Sequence, residues 1–265
     1  MSRILFGIYQ HHQKEITDEL MTSMNYQPVT KDILIIVYNQ VDYLRRCVES
    51  INQHTQDFHL WIWDNGSDVT TQIYLDTLRD NNNVTVIRSE DNQGFIIPNN
   101  RLAAMGSNPY IILLNSDTEV MANWDKPLIA WLQQNPDVGA TGYQGCVLDE
   151  RGKGGLIRLG YDVDYISGWC LCISRDIYNE MGLFDEEHLE FAYCEDCDFS
   201  LRLKESGRRV YALHMTQVAH FENKTITAVA QGKPQWLQDH FDHNHKYLRE
   251  RWAKFLGRSF TVDES

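Results

Sequence analysis

A chain of 265 residues, 43% hydrophobic and 23% charged, is long enough for one large domain or two small ones around a sizeable core. Its formal net charge of −13 argues against a broad nucleic-acid or anionic-membrane face, which needs the opposite sign and leaves at most peripheral membrane contact. No stretch approaches the roughly 20 apolar residues of a membrane span, and the apolar start is too short for a usual signal peptide, so a cytoplasmic protein is expected.

Residues 1–30 read as an extension, with a helical stretch at 15–24 followed by Pro28. A regular alternation then begins. Residues 33–38 form a continuous apolar run suited to a parallel strand buried on both faces. The next helix places Val41, Leu44, Cys47, Val48 and Ile51 on one face. Strands are predicted at 58–63, 84–87 and 110–114, separated by a helix carrying Ile73, Leu75 and Leu78 and another at about 96–106. This order implies βαβ units and a mostly parallel sheet flanked by helices.

Past residue 125 the texture changes. A helix at 126–134 precedes a strand at 138–143, and 146–148 and 156–159 flank a glycine-rich turn as a hairpin. A strand at 166–173, a short helix at 174–181, a helix at 195–206 closed by Gly207 and a strand at 210–213 follow. A helix rich in His and Trp, 235–256, ends the chain. The expected organisation is an extension (1–30), a first half (31–125), a second half (126–234) and a helical tail (235–265), with no linker between independent domains. His240, His243 and His245 of the tail are expected to be surface polar residues, since the three do not share one helix face.

Chemistry-bearing residues gather where strands end. The strand at 110–114 runs into Asn115-Ser116-Asp117, and a carboxylate there faces the crevice in which open α/β sheets bind ligands. Asn115 and Asp117 both offer oxygen to a hard cation. Val37-Tyr38-Asn39 and Asp64-Asn65-Gly66-Ser67 end two neighbouring strands, and Glu195 and Asp196 open a later helix. Taken singly, these are ordinary turn and helix-start residues. Three polar strand ends on one sheet edge plus a carboxylate pair exceed what turn chemistry requires. Cys194 and Cys197 have a spacing that suits zinc, but four ligands are wanted, and buried free thiols are expected instead.

These motifs, with Asn92-Gln93-Gly94-Phe95, Asn99-Asn100-Arg101, Gly168-Trp169-Cys170, Gly182-Leu183-Phe184-Asp185-Glu186 and Asp198…Arg202…Gly207, resemble in order the family 2 glycosyltransferases. The similarity runs from about Asp32 to His220 and is nearest the rhamnosyltransferase-like bacterial branch. It implies a GT-A (Rossmann-like) α/β fold with a smaller acceptor-side region and a C-terminal helix, in which 31–125 is the nucleotide-sugar-binding half and 126–234 the acceptor and catalytic half. It implies that Asp64, beside the backbone near Tyr38 and Asn39, contacts the nucleotide, and that Asn92, Gly94 and Asn100 line the same pocket. Asn115-Ser116-Asp117 stands where the family has Asp-x-Asp, departing from the commoner first Asp. Asp117 would hold Mn²⁺ or Mg²⁺ on the donor diphosphate, with His220 completing the shell. One of Glu195 and Asp196 would be the catalytic base, and Asp196 is the expected one. Trp169 is expected either in the core or stacked on a sugar.

The implied reaction moves a sugar from a nucleotide-diphosphate sugar to a hydroxyl of a carbohydrate, lipid-linked or small-molecule acceptor, with inversion. Two other readings fit parts of the chain. A nucleotidyltransferase would also pair an α/β sheet with metal-binding carboxylates, but wants a basic glycine-rich loop that Asn39-Gln40-Val41-Asp42 does not supply. A catalytically inactive nucleotide-sugar-binding module would not need both Asp117 and Asp196.

Overall fold

The computed structural model describes residues 26–214, 217–221 and 234–261, so the helix expected at 15–24 lies outside the described residues. The chain runs β1 (Lys31–Val37), α1 (Val41–His54), β2 (Phe58–Asp64), α2 (Val69–Leu78), β3 (Val84–Arg88), α3 (Ile96–Met105) and β4 (Tyr110–Leu114). It continues through β5 (Thr118–Val120), α4 (Lys126–Gln134), β6 (Val138–Gly142), β7 (Gly145–Leu148), β8 (Gly154–Arg158), β9 (Tyr165–Ile166), β10 (Cys170–Ser174) and α5 (Arg175–Met181). It closes with α6 (Glu195–Glu205), β11 (Arg209–Ala212), β12 (Val218–His220) and α7 (Pro234–Leu256).

Seven strands form one sheet in the order β11-β6-β10-β4-β1-β2-β3, and β10 alone runs against its neighbours. The sheet therefore crosses the expected boundary at 125/126. Successive residues of β1 feed opposite layers, which is why its sequence is apolar throughout rather than alternating. Ile33, Ile35 and Val37 pack with Leu44, Val48 and Ile51 of α1, Leu75 of α2 and Leu128 of α4. Leu34 and Ile36 belong to the other layer, with Leu102 of α3, Phe199 and Leu203 of α6 and Trp252 of α7.

The predicted strand at 166–173 is interrupted. It divides into β9, which pairs with β7 in a separate three-stranded sheet, and β10 in the main sheet. The break at Ser167-Gly168 frees backbone N–H groups: that of Ser167 donates to the Gln144 carbonyl, and that of Gly168 to Asp196. Two short strands were not expected at all: β5 and β12 pair antiparallel, with His220 opposite Thr118. The other predicted elements form within a residue or two of their expected ends. Asp68 caps α2 by accepting the Thr71 N–H at 2.8 Å, and Ser174 caps α5 through Ile177. Gly207, at φ 87°, ends α6 in the left-handed conformation that favours glycine.

At the edge of the sheet opposite the polar strand ends, Lys31 Nζ meets Asp125 Oδ2 at 2.6 Å with both side chains buried. Removing one partner of such a pair costs about 3–5 kcal/mol, because the other charge is left uncompensated. Among the described residues no helix is long and apolar enough to cross a membrane.

Candidate active site

The carboxyl ends of β1, β2 and β4 open onto a cavity of about 520 Å³. Asn65, Asn92, Gly94, Asn115, Ser116 and Asp117 line one side of it. Gln144, Ser167, Gly168, Trp169, Phe191, Ala192, Tyr193, Glu195, Asp196 and His220 contribute to the rest. Of the expected site residues, the fold thus brings together Asn92, Gly94, Asn115, Asp117, Glu195, Asp196 and His220.

Tyr38, Asn39, Asp64 and Asn100 do not line this cavity. Asp64 is fully buried, accepting the Ser67 N–H at 2.9 Å and Arg88 Nε at 2.7 Å. Asn39 takes the left-handed conformation after β1, and its side chain accepts the Asp68 N–H while its own N–H reaches Ser67 Oγ. Asn100 bonds the backbone of Phe184 in both directions. All three brace the loops behind the wall. Asn65 stands where Asp64 was expected: its Nδ2 donates to the Gly94 carbonyl at 2.7 Å and its Oδ1 accepts the Gln93 N–H at 3.0 Å. Asn92 caps the same turn by accepting the Gly94 N–H. Gly94 itself is at φ 78°, and a Cβ there would overlap the Phe191 carbonyl. No side chain larger than hydrogen fits between these two loops.

Asp117 follows β4 and leads into β5, so the β5–β12 pairing sets His220 beside it. His220 Nε2 lies 3.3 Å from Asp117 Oδ1 and 3.4 Å from Asn115 Nδ2. The Phe221 N–H donates to the Asp117 carbonyl, fixing the register. Trp169 is buried and stacks on the His220 ring, centroids 4.6 Å apart, while its Nε1 donates to Gln144. It is thus a core tryptophan whose edge reaches the cavity, and it orients an imidazole. Two cis donors on an octahedral ion with bonds of about 2.1 Å stand about 3 Å apart. The Asp117–His220 spacing fits that, and a carboxylate with an imidazole suits a divalent cation without selecting one metal.

In the same cavity lining, α6 starts with the acidic pair. Asp196 Oδ2 accepts the Gly168 N–H at 2.8 Å and Oδ1 accepts the Cys197 N–H at 2.7 Å. Burial nevertheless lifts its pKa above the ordinary Asp value, with those two N–H groups opposing the rise. Glu195 is buried, and its Oε2 has no hydrogen-bond partner among the described residues. Burial, and then the neighbouring Asp196 charge, push it up to about 8. The two carboxyls titrate together, and the proton is held more tightly on the Glu195 side of the pair.

A stability measurement checks this. Below about pH 4.5 Glu195 is protonated in the folded and unfolded chains alike. From there to about 8 the folded chain keeps a proton that the unfolded chain has lost, so stability falls as pH rises through that window. The limiting slope is about 1.4 kcal/mol per pH unit. Melting temperature is expected to decline between pH 5 and 9 in the wild type, and much less in Glu195→Gln. Equal declines in both proteins would show that Glu195 ionises normally.

The six cysteines are buried free thiols, as the sequence suggests. His245 corrects the reading of the tail: it is buried, with Nδ1 2.8 Å from the Phe241 carbonyl and 3.4 Å from Cys194 Sγ. Sequence reasoning also passed over Gln144, Ser167, Phe191, Ala192 and Tyr193. The last three are separated from the acidic pair only by Cys194, and that nearness is the one signal that could have found them.

The model of Glycosyl transferase family 2 matches residues 32–191, more than half of the chain. The chain belongs to this family. A Sinorhizobium fredii relative, the uncharacterized protein y4gI, is 25% identical over 256 residues. That alignment covers 83% of this chain and 27% of the relative, so the chain spans about a quarter of that protein's length. Among solved structures, GalNAc-T7 with UDP, GalNAc and Mn²⁺ superposes with a TM-score of 0.66 at 17% identity, over 86% of this chain and 57% of that one. The mannosyltransferase PcManGT of Pyrobaculum calidifontis, in complex with GDP-Man and Mn²⁺, gives 0.61 at 13% identity, over 97% and 74%. These likenesses establish the GT-A fold of the family 2 chain.

Proposed function

We propose that this family 2 protein is an inverting, metal-dependent glycosyltransferase that moves a sugar from a nucleotide-diphosphate sugar to an acceptor hydroxyl. The observation that carries the reading is that Asp117 with His220 and Asp196 with Glu195 line one cavity. The first pair suits the leaving diphosphate and the second suits the attacking hydroxyl.

Among the described lining residues there is no Lys or Arg. A diphosphate would therefore meet carboxylates with little to offset its charge. Asp117 and His220 would hold a divalent cation, Mn²⁺ or Mg²⁺, and that ion when bound supplies Lewis-acid stabilisation of the leaving diphosphate. Asn92, Gly94 and Asn65 form the wall against which the nucleotide would lie, while Asp64 and Asn39 keep that wall in place. GalNAc-T7 with UDP, GalNAc and Mn²⁺, and PcManGT in complex with GDP-Man and Mn²⁺, support a divalent ion together with a nucleotide-sugar donor on this fold.

Asp196 would take the acceptor proton. Its two backbone donors fix the direction of the carboxylate, and each oxygen keeps a free lone pair for the hydroxyl. Burial makes it a stronger base than an exposed Asp. Inversion is favoured because double displacement needs a second, ionised carboxylate on the opposite face of the sugar, as in retaining glycoside hydrolysis. Glu195 adjoins Asp196 and is held neutral at neutral pH, which suits it to a hydrogen bond rather than to nucleophilic attack. The acceptor is a carbohydrate, lipid-linked or small-molecule alcohol.

A panel of nucleotide sugars, each with Mn²⁺ or with EDTA, tests the proposal by thermal shift and by release of nucleoside diphosphate. One donor is expected to raise the melting temperature only with Mn²⁺, by the equivalent of about 2.7 kcal/mol at a hundred times its dissociation constant. That donor should also be turned over. Binding without any release would identify an inactive binding module, and pyrophosphate release from a nucleoside triphosphate would identify a nucleotidyltransferase.

A further inference from the structure

The segment that carries the acidic pair into the cavity is conformationally costly. Phe191, Tyr193 and Cys194 have φ of 57°, 76° and 70°, the left-handed region that non-glycine residues rarely adopt. Such residues persist only where the surrounding structure holds them. The same segment does structural work for the donor side. The Phe191 carbonyl accepts the N–H groups of Phe95 at 2.7 Å and Ile96 at 3.3 Å, closing the start of α3. Its position thus decides both where Glu195 and Asp196 point and how the Gly94 turn is seated.

What holds it comes from the end of the chain. Asn244, on α7, is fully buried. Its Oδ1 accepts the Glu190 N–H at 2.9 Å. Its Nδ2 stands 2.7 Å from the Glu190 carbonyl, 2.9 Å from that of Ala192 and 3.0 Å from that of Tyr193. An amide has two N–H donors and an oxygen with two lone pairs, so the three converging carbonyls share both donors and the Glu190 N–H takes one lone pair. An ordinary loop would not present three carbonyls to one point. Here the left-handed residues turn them inward, and the side chain that matches them is a primary amide. Neighbouring contacts repeat the pattern: Phe191 packs edge-on to Trp236, Tyr193 to Phe241, and Cys194 meets His245.

We propose that Asn244 is a positioning residue for glycosyl transfer: its amide holds the 190–194 segment in the strained form that aims the acidic pair into the cavity. The C-terminal helix is then part of the catalytic unit rather than a tail. This rests on the assignment of Asp196 as base. A displacement of about 1 Å in a reacting group can cost on the order of 10²-fold in rate.

Asn244→Ser, which keeps one small hydroxyl in place of the amide, is compared with Trp252→Phe. The latter removes a different tie on the same helix, the Trp252 Nε1 donation to Asp198 at 2.9 Å. Asn244→Ser is expected to lower kcat per folded molecule about 10- to 100-fold, with donor KM rising by a smaller factor because the Gly94 turn is seated on the same segment. Hydrogen–deuterium exchange of a peptide spanning 190–196 should rise. Trp252→Phe should lower the melting temperature and leave kcat per folded molecule and that exchange near wild type. If Asn244→Ser does not fold, Asn244→Asp, which keeps the acceptor and loses both donors, is judged by the same measures. Unchanged exchange at 190–196, or a loss of activity matching only the loss of folded protein, overturns the proposal. The exchange measurement needs no substrate, so it judges the clamp even if the protein transfers no sugar. Wild-type turnover in Asp196→Asn would instead sink the assignment of the base.

Discussion

Asp196→Asn is expected to lower turnover by about 10² to 10⁴, the usual worth of a positioned general base. Donor affinity should stay close to wild type, because the lost interaction matures only as the hydroxyl attacks. The substitution is nearly isosteric, so the Asn carbonyl oxygen can still accept one of the two N–H groups now shared between Gly168 and Cys197. The other N–H would meet an NH₂ group, so a measured melting temperature must accompany the kinetics. Glu195→Gln is the matched control. Since Glu195 is largely protonated at neutral pH, replacing it by an amide changes little in charge. It should cost less turnover than Asp196→Asn. A dead Glu195→Gln enzyme beside an active Asp196→Asn enzyme would move the base to the neighbouring residue.

The second large effect concerns the metal site. Asp117→Ala should abolish Mn²⁺-dependent donor binding, a loss of at least about 100-fold, or about 2.7 kcal/mol. It should do so with the fold intact. The Asp117 backbone carbonyl remains bonded to the Phe221 N–H, so the β5–β12 pairing survives the loss of the side chain. Removing one carboxylate beside His220 leaves the imidazole stacked on Trp169, so the second donor stays in place. Calorimetry with Mn²⁺ and with EDTA separates the outcomes. Undiminished Mn²⁺-dependent affinity in a folded Asp117→Ala protein would remove this residue from the metal site.

The sequence by itself determined the architecture and the chemical cast. An apolar run such as Ile33 to Val37 can be satisfied only by burial on both faces, and the alternation of such runs with amphipathic helices leaves little besides a parallel sheet with helices on either side. Chain direction then puts Asn65, Asn115 and Asp117 at one edge of that sheet. These are local properties: period, length and the residue types at strand ends.

The tertiary structure decided which of those residues face the cavity. Asp64 and Asn65 are adjacent, and on a strand end adjacent side chains point opposite ways. One became a buried brace for Ser67 and Arg88, the other the stitch to Gly94. Nothing local to Asp117 announces His220, because the short β5–β12 pairing joins segments about a hundred residues apart through backbone hydrogen bonds that any side chains permit. The break between β9 and β10, which gives Asp196 its Gly168 donor, hides within a continuous β-like sequence. Asn244 has no sequence signal either. Its function comes from three carbonyls turned inward by a strained loop some fifty residues earlier, and a hydrogen-bond acceptor on the main chain carries no residue identity to read.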